Sequence, residues 1–123
     1  MSWRINYNPE KNIIELNYFD MVSPEELQQA FEATYKLSFE KKVYTILADC
    51  RELKGGHTLF DLLKIIEEVK EVDILSLFKE AVILPPEQIP ASNVEFWETA
   101  CRNRGIKVKI FEDTGKAEEW LFS

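Results

Sequence analysis

Asp49, Cys50 and His57 are the residues of this 123-residue chain whose types and closeness in sequence suggest chemistry. They lie in ADCRELKGGHTLFDLL, residues 48–63, with the single histidine and the single Gly-Gly pair. A thiolate beside an imidazole and an orienting carboxylate is a nucleophile system, and an Asp–His pair is a general base. Either would make a hydrolase-like enzyme of His57 with Asp49 or Cys50. The sequence around Cys50, however, carries none of the local signatures of catalytic cysteines. A solvent-exposed loop position explains His57 without catalysis, so the residues alone assign no catalytic group.

The same stretch invites a binding reading. Gly55-Gly56 ahead of a helix start resembles a phosphate-cradling turn, but no Lys-Ser/Thr pair follows and no third glycine completes a dinucleotide fingerprint. A sharp turn accounts for both glycines. Thr58, with Asp61 three residues on, reads as a helix N-cap. Asp49 reads as the end of a strand, where Asp commonly accepts hydrogen bonds from the following loop. In an open α/β sheet, ligands collect beyond the carboxyl ends of the parallel strands. The crevice candidates are therefore Asp49, Cys50, Arg51, Gly56, His57 and Thr58.

Composition narrows the classes. The chain is long enough for one core, and 46% hydrophobic with 30% charged residues is ordinary for a globular domain. A net charge of -7 argues against nucleic acid as a partner. No apolar run approaches the roughly 20 residues that span a bilayer, and the N-terminus has no apolar signal-peptide core. Cys50 and Cys101 are too few for a disulfide framework, and no spacing suits a metal, so neither metal nor cofactor is expected. Free thiols fit a cytoplasmic setting.

Periodicity gives the elements that must position these residues. WRINYNPEKNIIELNYF reads as a hairpin, with Trp3, Ile5 and Tyr7 alternating against Ile14, Leu16 and Tyr18. A helix follows, opened by Ser23 as N-cap, Pro24 and the capping-box Glu26, with Leu27, Ala30, Phe31, Thr34 and Leu37 on its buried stripe. VYTILAD is a strand apolar on both faces. LFDLLKIIEEVKEV is a helix with Leu59, Leu62, Leu63, Ile66 and Val69 inward, its EEVKEVD run facing solvent. DILSLFKEAVILPP begins helical and ends as a strand stopped by Pro85 and Pro86.

ASNVEFWETACRNRG is a helix capped by Ser92 or Asn93, with Cys101 in its core side and Gly105 as the left-handed terminator. IKVKIF is a strand, and TGKAEEWLF a last helix capped by Thr114. The predicted order is β-β-α-β-α-β-α-β-α in one domain, residues 1–123. It makes an α/β fold: a mixed, mostly parallel five-stranded sheet covered by about four helices, the first strand antiparallel.

This order, and the ending RGIKVKIFEDTGKAEEWL, resemble the SpoIIAA-like group of the STAS superfamily (sulphate transporter and anti-sigma factor antagonist domains). The matching residues are Arg104, Gly105, Val108, Phe111, Asp113, Ala117, Trp120 and Leu121, with Asp49 matching an Asp-ended strand. The resemblance implies a regulatory module that works through protein contacts. In relatives a Ser or Thr in the loop before the second helix is phosphorylated, and the aligned hydroxyl here is Thr58. The Asp-Ser-Ser-Gly sequence of those relatives is absent.

The expected function is therefore a non-enzymatic binding module. Its partner is expected to be another protein, a second copy in a homodimer, or a small apolar or anionic ligand in the strand-end crevice. Leu75, Leu77 and Phe78 are candidates for a contact surface. A carrier of small molecules or lipids is the alternative, and a dry pocket between the sheet and residues 72–78 would mark it.

Overall fold

The structure, a computed structural model, describes residues 2–69 and 75–123. The predicted end of the second helix and start of the next helical turn fall partly in 70–74, outside the described residues; so do the side chains of Val69 and Leu75.

Two antiparallel strands, β1 (Trp3–Asn8) and β2 (Ile13–Met21), open the chain. Asn8 Oδ1 accepts from the backbone N–H groups of Glu10 and Lys11, and Asn12 takes a positive φ of 54°, closing the turn. Helix α1 (Pro24–Lys41) starts on the predicted capping box: Ser23 accepts from the Glu26 N–H, and the Glu26 side chain returns to the Ser23 N–H. Then come β3 (Thr45–Gly55), α2 (Leu59–Val69), a 3₁₀ turn (Leu75–Leu77), β4 (Lys79–Ile83), α3 (Gln88–Arg102), β5 (Lys107–Phe111) and α4 (Thr114–Leu121).

The five strands lie in chain order, and all pairs but β1·β2 are parallel. Right-handed crossovers that always step the same way put their helices on one face. Accordingly Leu27 of α1, Leu62 and Ile66 of α2, and Val94 and Cys101 of α3 share one core with Leu16, Ala48 and Val82. Helix α4 covers the other face, packing Ala117 and Leu121 on Ile13, Leu47, Ala81 and Ile83. The pleat sends alternate residues to the two layers.

Four local expectations are corrected. Strand β3 runs on to Gly55 instead of ending at Asp49. Its pairing with β2 skips a residue twice on the β3 side, and these bulges break the period-two pattern while Cys50 and Leu53 stay buried. Helix α3 begins at Gln88, with Glu87 as a cap whose side chain makes no capping bond; Ser92 lies inside, its hydroxyl on the Gln88 carbonyl. Pro90 is tolerated because first-turn N–H groups have no intrahelical acceptor. Helix α4 is capped by Asp113, which accepts from the Lys116 N–H at 2.8 Å, and not by Thr114. On α2, Leu59 is exposed and Ile65 is buried in its place.

Candidate ligand-binding site

A cavity of about 130 Å³ lies between the sheet and helices α1–α3. Leu16, Leu27, Ala48, Leu62, Val82 and Val94 form much of its wall. Its volume is close to the roughly 150 Å³ of an apolar protein cavity that stays dry and takes up benzene.

One acid interrupts this wall. Register across the sheet places Tyr7, Ile14, Ile46, Glu80 and Val108 in a single row on the face that α1–α3 cover. Glu80 is the one ionisable carboxyl in that row. Oε1 of Glu80 accepts a 2.8 Å hydrogen bond from Nε1 of Trp97 on α3. The side chain is half-buried and lines the cavity. Burial pushes its pKa up to about 7, against the smaller downward pull of the Trp97 N–H.

Other polar groups converge on the same space. Tyr18, Cys50, Cys101 and His57 all line it. Burial, and secondarily the neighbouring Glu80, hold the Tyr18 phenol well above its ordinary value. Burial likewise raises both thiols, so each is a neutral, poorly nucleophilic S–H at neutral pH. His57 Nδ1 lies 3.0 Å from the Val22 carbonyl oxygen.

The residues singled out in sequence separate. Cys50 and His57 reach the cavity; Asp49, Arg51, Gly56 and Thr58 are not in its lining. Asp49 sits one residue from Cys50 on a strand, in line with Ile83 on the face that α4 covers. Its carboxylate accepts the Arg51 backbone N–H at 3.0 Å, satisfying the bulge, and three bonds from the guanidinium, the shortest 2.6 Å. Burial raises the Asp49 pKa, but the Arg51 bonds and charge outweigh it and leave it below the ordinary value. Asp49 and Cys50 thus point to opposite sides of the sheet, and no Cys-His-Asp system assembles.

Gly56 has φ +105°, and a Cβ there would come within 2.6 Å of the Val22 backbone N and O. The turn needs glycine to let the two strand ends touch. Thr58 is exposed and its bonds are those of a cap. Its hydroxyl accepts from the Asp61 N–H at 3.3 Å, and the Asp61 carboxylate accepts from the Thr58 N–H at 2.7 Å. Asp61 also lies 3.0 Å from the Thr58 hydroxyl, so a phosphate added there would meet a like charge.

Glu80 is the residue that sequence reasoning missed. Its trace in the sequence is one acid between Phe78 and Val82, beside the oppositely charged Lys79. Among the described residues no cluster of His, Cys, Asp and Glu could hold a metal ion, and no helix is long and apolar enough to cross a membrane.

No family model matches this chain, and no curated protein matches it. Solved structures do. The chain is similar to an uncharacterized protein of the DUF3478 family with a SpoIIAA-like fold, from Shewanella loihica PV-4. That match has a TM-score of 0.60 at 20% identity and covers 97% of this chain and 91% of that one. It is also similar to the anti-sigma factor antagonist SpoIIAA in its unphosphorylated form, with a TM-score of 0.55 at 14% identity over 93% of this chain and 91% of that one. Sheet order, helix placement and these likenesses agree that the chain has a SpoIIAA-like fold.

Proposed function

We propose that this chain is a non-catalytic STAS-like binding module whose ligand is a small, mainly apolar molecule held between the sheet and α1–α3. The observation that carries the reading is the cavity of about 130 Å³ with its aliphatic walls. Pockets of this kind, apolar with a few convergent polar groups, are where small ligands bind. The strand-end stretch 49–58 then acts at one remove, through Cys50 and His57, which line the cavity.

The test is a methyl NMR titration with ethylbenzene. Shifts are expected at Leu16, Val82 and Val94 in the parent protein, and their loss in Ala48→Leu, which fills the space. Unmoved methyls at saturating ethylbenzene would sink the reading.

Protein contact is a second reading, supported by a different observation. Met21, Phe60 and Ile89 are 61%, 82% and 78% exposed, and all three lie where β2 ends or where α2 and α3 begin. That is the carboxyl edge of the parallel strands. Sedimentation of the parent and of a Phe60→Ser, Ile89→Ser double variant tests self-association there. A parent that sediments as a monomer at all concentrations removes the homodimer.

A further inference from the structure

We propose that the molecule taken up by this cavity ends in a primary ammonium group, and that Glu80 is its counter-ion. The proposal rests on the cavity being a ligand site and adds the chemical class of the ligand.

A carboxyl in an apolar interior is stabilised only by the partners it finds there. Glu80 finds one: the Trp97 indole, a single neutral donor on one of its two oxygens. Among the described residues no lysine or arginine forms an ion pair with it. The lining residue able to carry positive charge, His57, has its Nδ1 on the Val22 carbonyl. Trp97 therefore orients the acid and leaves an acceptor without a cation.

The remaining lining settles which head group complements it. Tyr18, Cys50 and Cys101 are held neutral by burial, which leaves only His57, its Nδ1 turned to the Val22 carbonyl, to offset an anionic ligand beside Glu80. An alcohol supplies a hydrogen bond but no charge. An ammonium supplies both, and charge-assisted bonds are about twice as strong as neutral ones. Cavity size sets the body: a ring or branched alkyl of about six to eight heavy atoms, by comparison with benzene-binding cavities. For packing alone, an apolar residue of similar volume would serve as well as or better than the acid.

Benzylamine, benzyl alcohol and ethylbenzene have the same heavy-atom skeleton and differ only in the head atom, so they isolate this contact. Calorimetric titration at pH 8 is expected to show benzylamine binding at least about tenfold tighter than the other two. In Glu80→Gln, which keeps an acceptor for Trp97, that preference is expected to disappear while ethylbenzene affinity stays within about threefold. Ethylbenzene binding without a benzylamine preference overturns the ammonium proposal and leaves the cavity reading standing. An undiminished preference in Glu80→Gln also overturns it. If none of the three binds, the cavity reading falls and the proposal falls with it.

Discussion

The indole N–H of Trp97 and the carboxylate of Glu80 meet at 2.8 Å between α3 and the middle of the sheet, inside an otherwise apolar layer. A single neutral donor is a weak match for a buried acid, and this imbalance has consequences for stability.

Stability should depend on pH through Glu80. A glutamate is half-ionised near pH 4.3 in an unfolded chain, and here only near pH 7. The folded state holds its proton more tightly, so stability falls as pH rises from about 4.5 to about 7 and is then flat. The loss is on the order of 3 kcal/mol. Glu26 acts oppositely: the Ser2 hydroxyl bond, with help from Ser23, lowers its pKa to about 2. Its contribution is present above the ordinary carboxyl pKa and is lost as pH falls towards 2. Urea denaturation across this range should therefore show a maximum near pH 4.5 to 5 in the parent, by about these pKa values. Glu80→Gln should keep the acid limb and lose the decline above pH 5. An identical profile in both proteins would contradict the placement of Glu80.

Two glycines of positive φ should respond differently to alanine. Gly56 combines φ +105° with backbone atoms of Val22 at 2.6 Å from a new Cβ, whereas Gly105 has φ +79° and open space. Gly105→Ala should cost only the left-handed backbone penalty, about 1 kcal/mol. Gly56→Ala must also push β2 and β3 apart and should cost about 3 kcal/mol or more. Equal midpoints in guanidinium would refute the close approach.

Thr58 should behave as a cap. Thr58→Ala is expected to lower stability by about 1 kcal/mol, and Thr58→Ser by no more than a few tenths. Asp61→Ala should match Thr58→Ala, and the double variant should cost less than the sum, because both singles break the same reciprocal pair. Full additivity would mean the two residues act separately.

The element order was legible because the signals that fix it are local. Ser23 and Glu26 announce the start of α1, and IKVKIF alternates as an edge strand must. Strand β3 was cut short for a physical reason: its bulges put Arg51 and Glu52 side by side on the exposed surface, breaking the alternation by which a strand is read. The start of α3 was hidden by Pro90, which looks like loop and sits in the first helical turn. The His57 position was noticed for its chemistry and proves to line the cavity, while Glu80 passed as one charge among many. Only the pairing of β4 with its neighbours tells which of Lys79 and Glu80 faces inward, and pairing is not written locally.

Lys79 and Glu80 are adjacent, oppositely charged, and divided between the two sides of β4, each against its own tryptophan. Glu80 takes the Trp97 N–H on the α1–α3 side. The Lys79 ammonium lies 4.7 Å from the Trp120 ring centre and donates to the last carbonyls of α4, the closest at 2.7 Å. A slip of β4 by one residue would drive the lysine into the cavity and the glutamate into the Ala117–Leu121 packing, stranding both charges and both tryptophans. A strand as short and as apolar as KEAVI offers few other reasons to prefer one alignment. Opposite charges sent to opposite sides of β4 therefore set the native alignment apart from its one-residue neighbours.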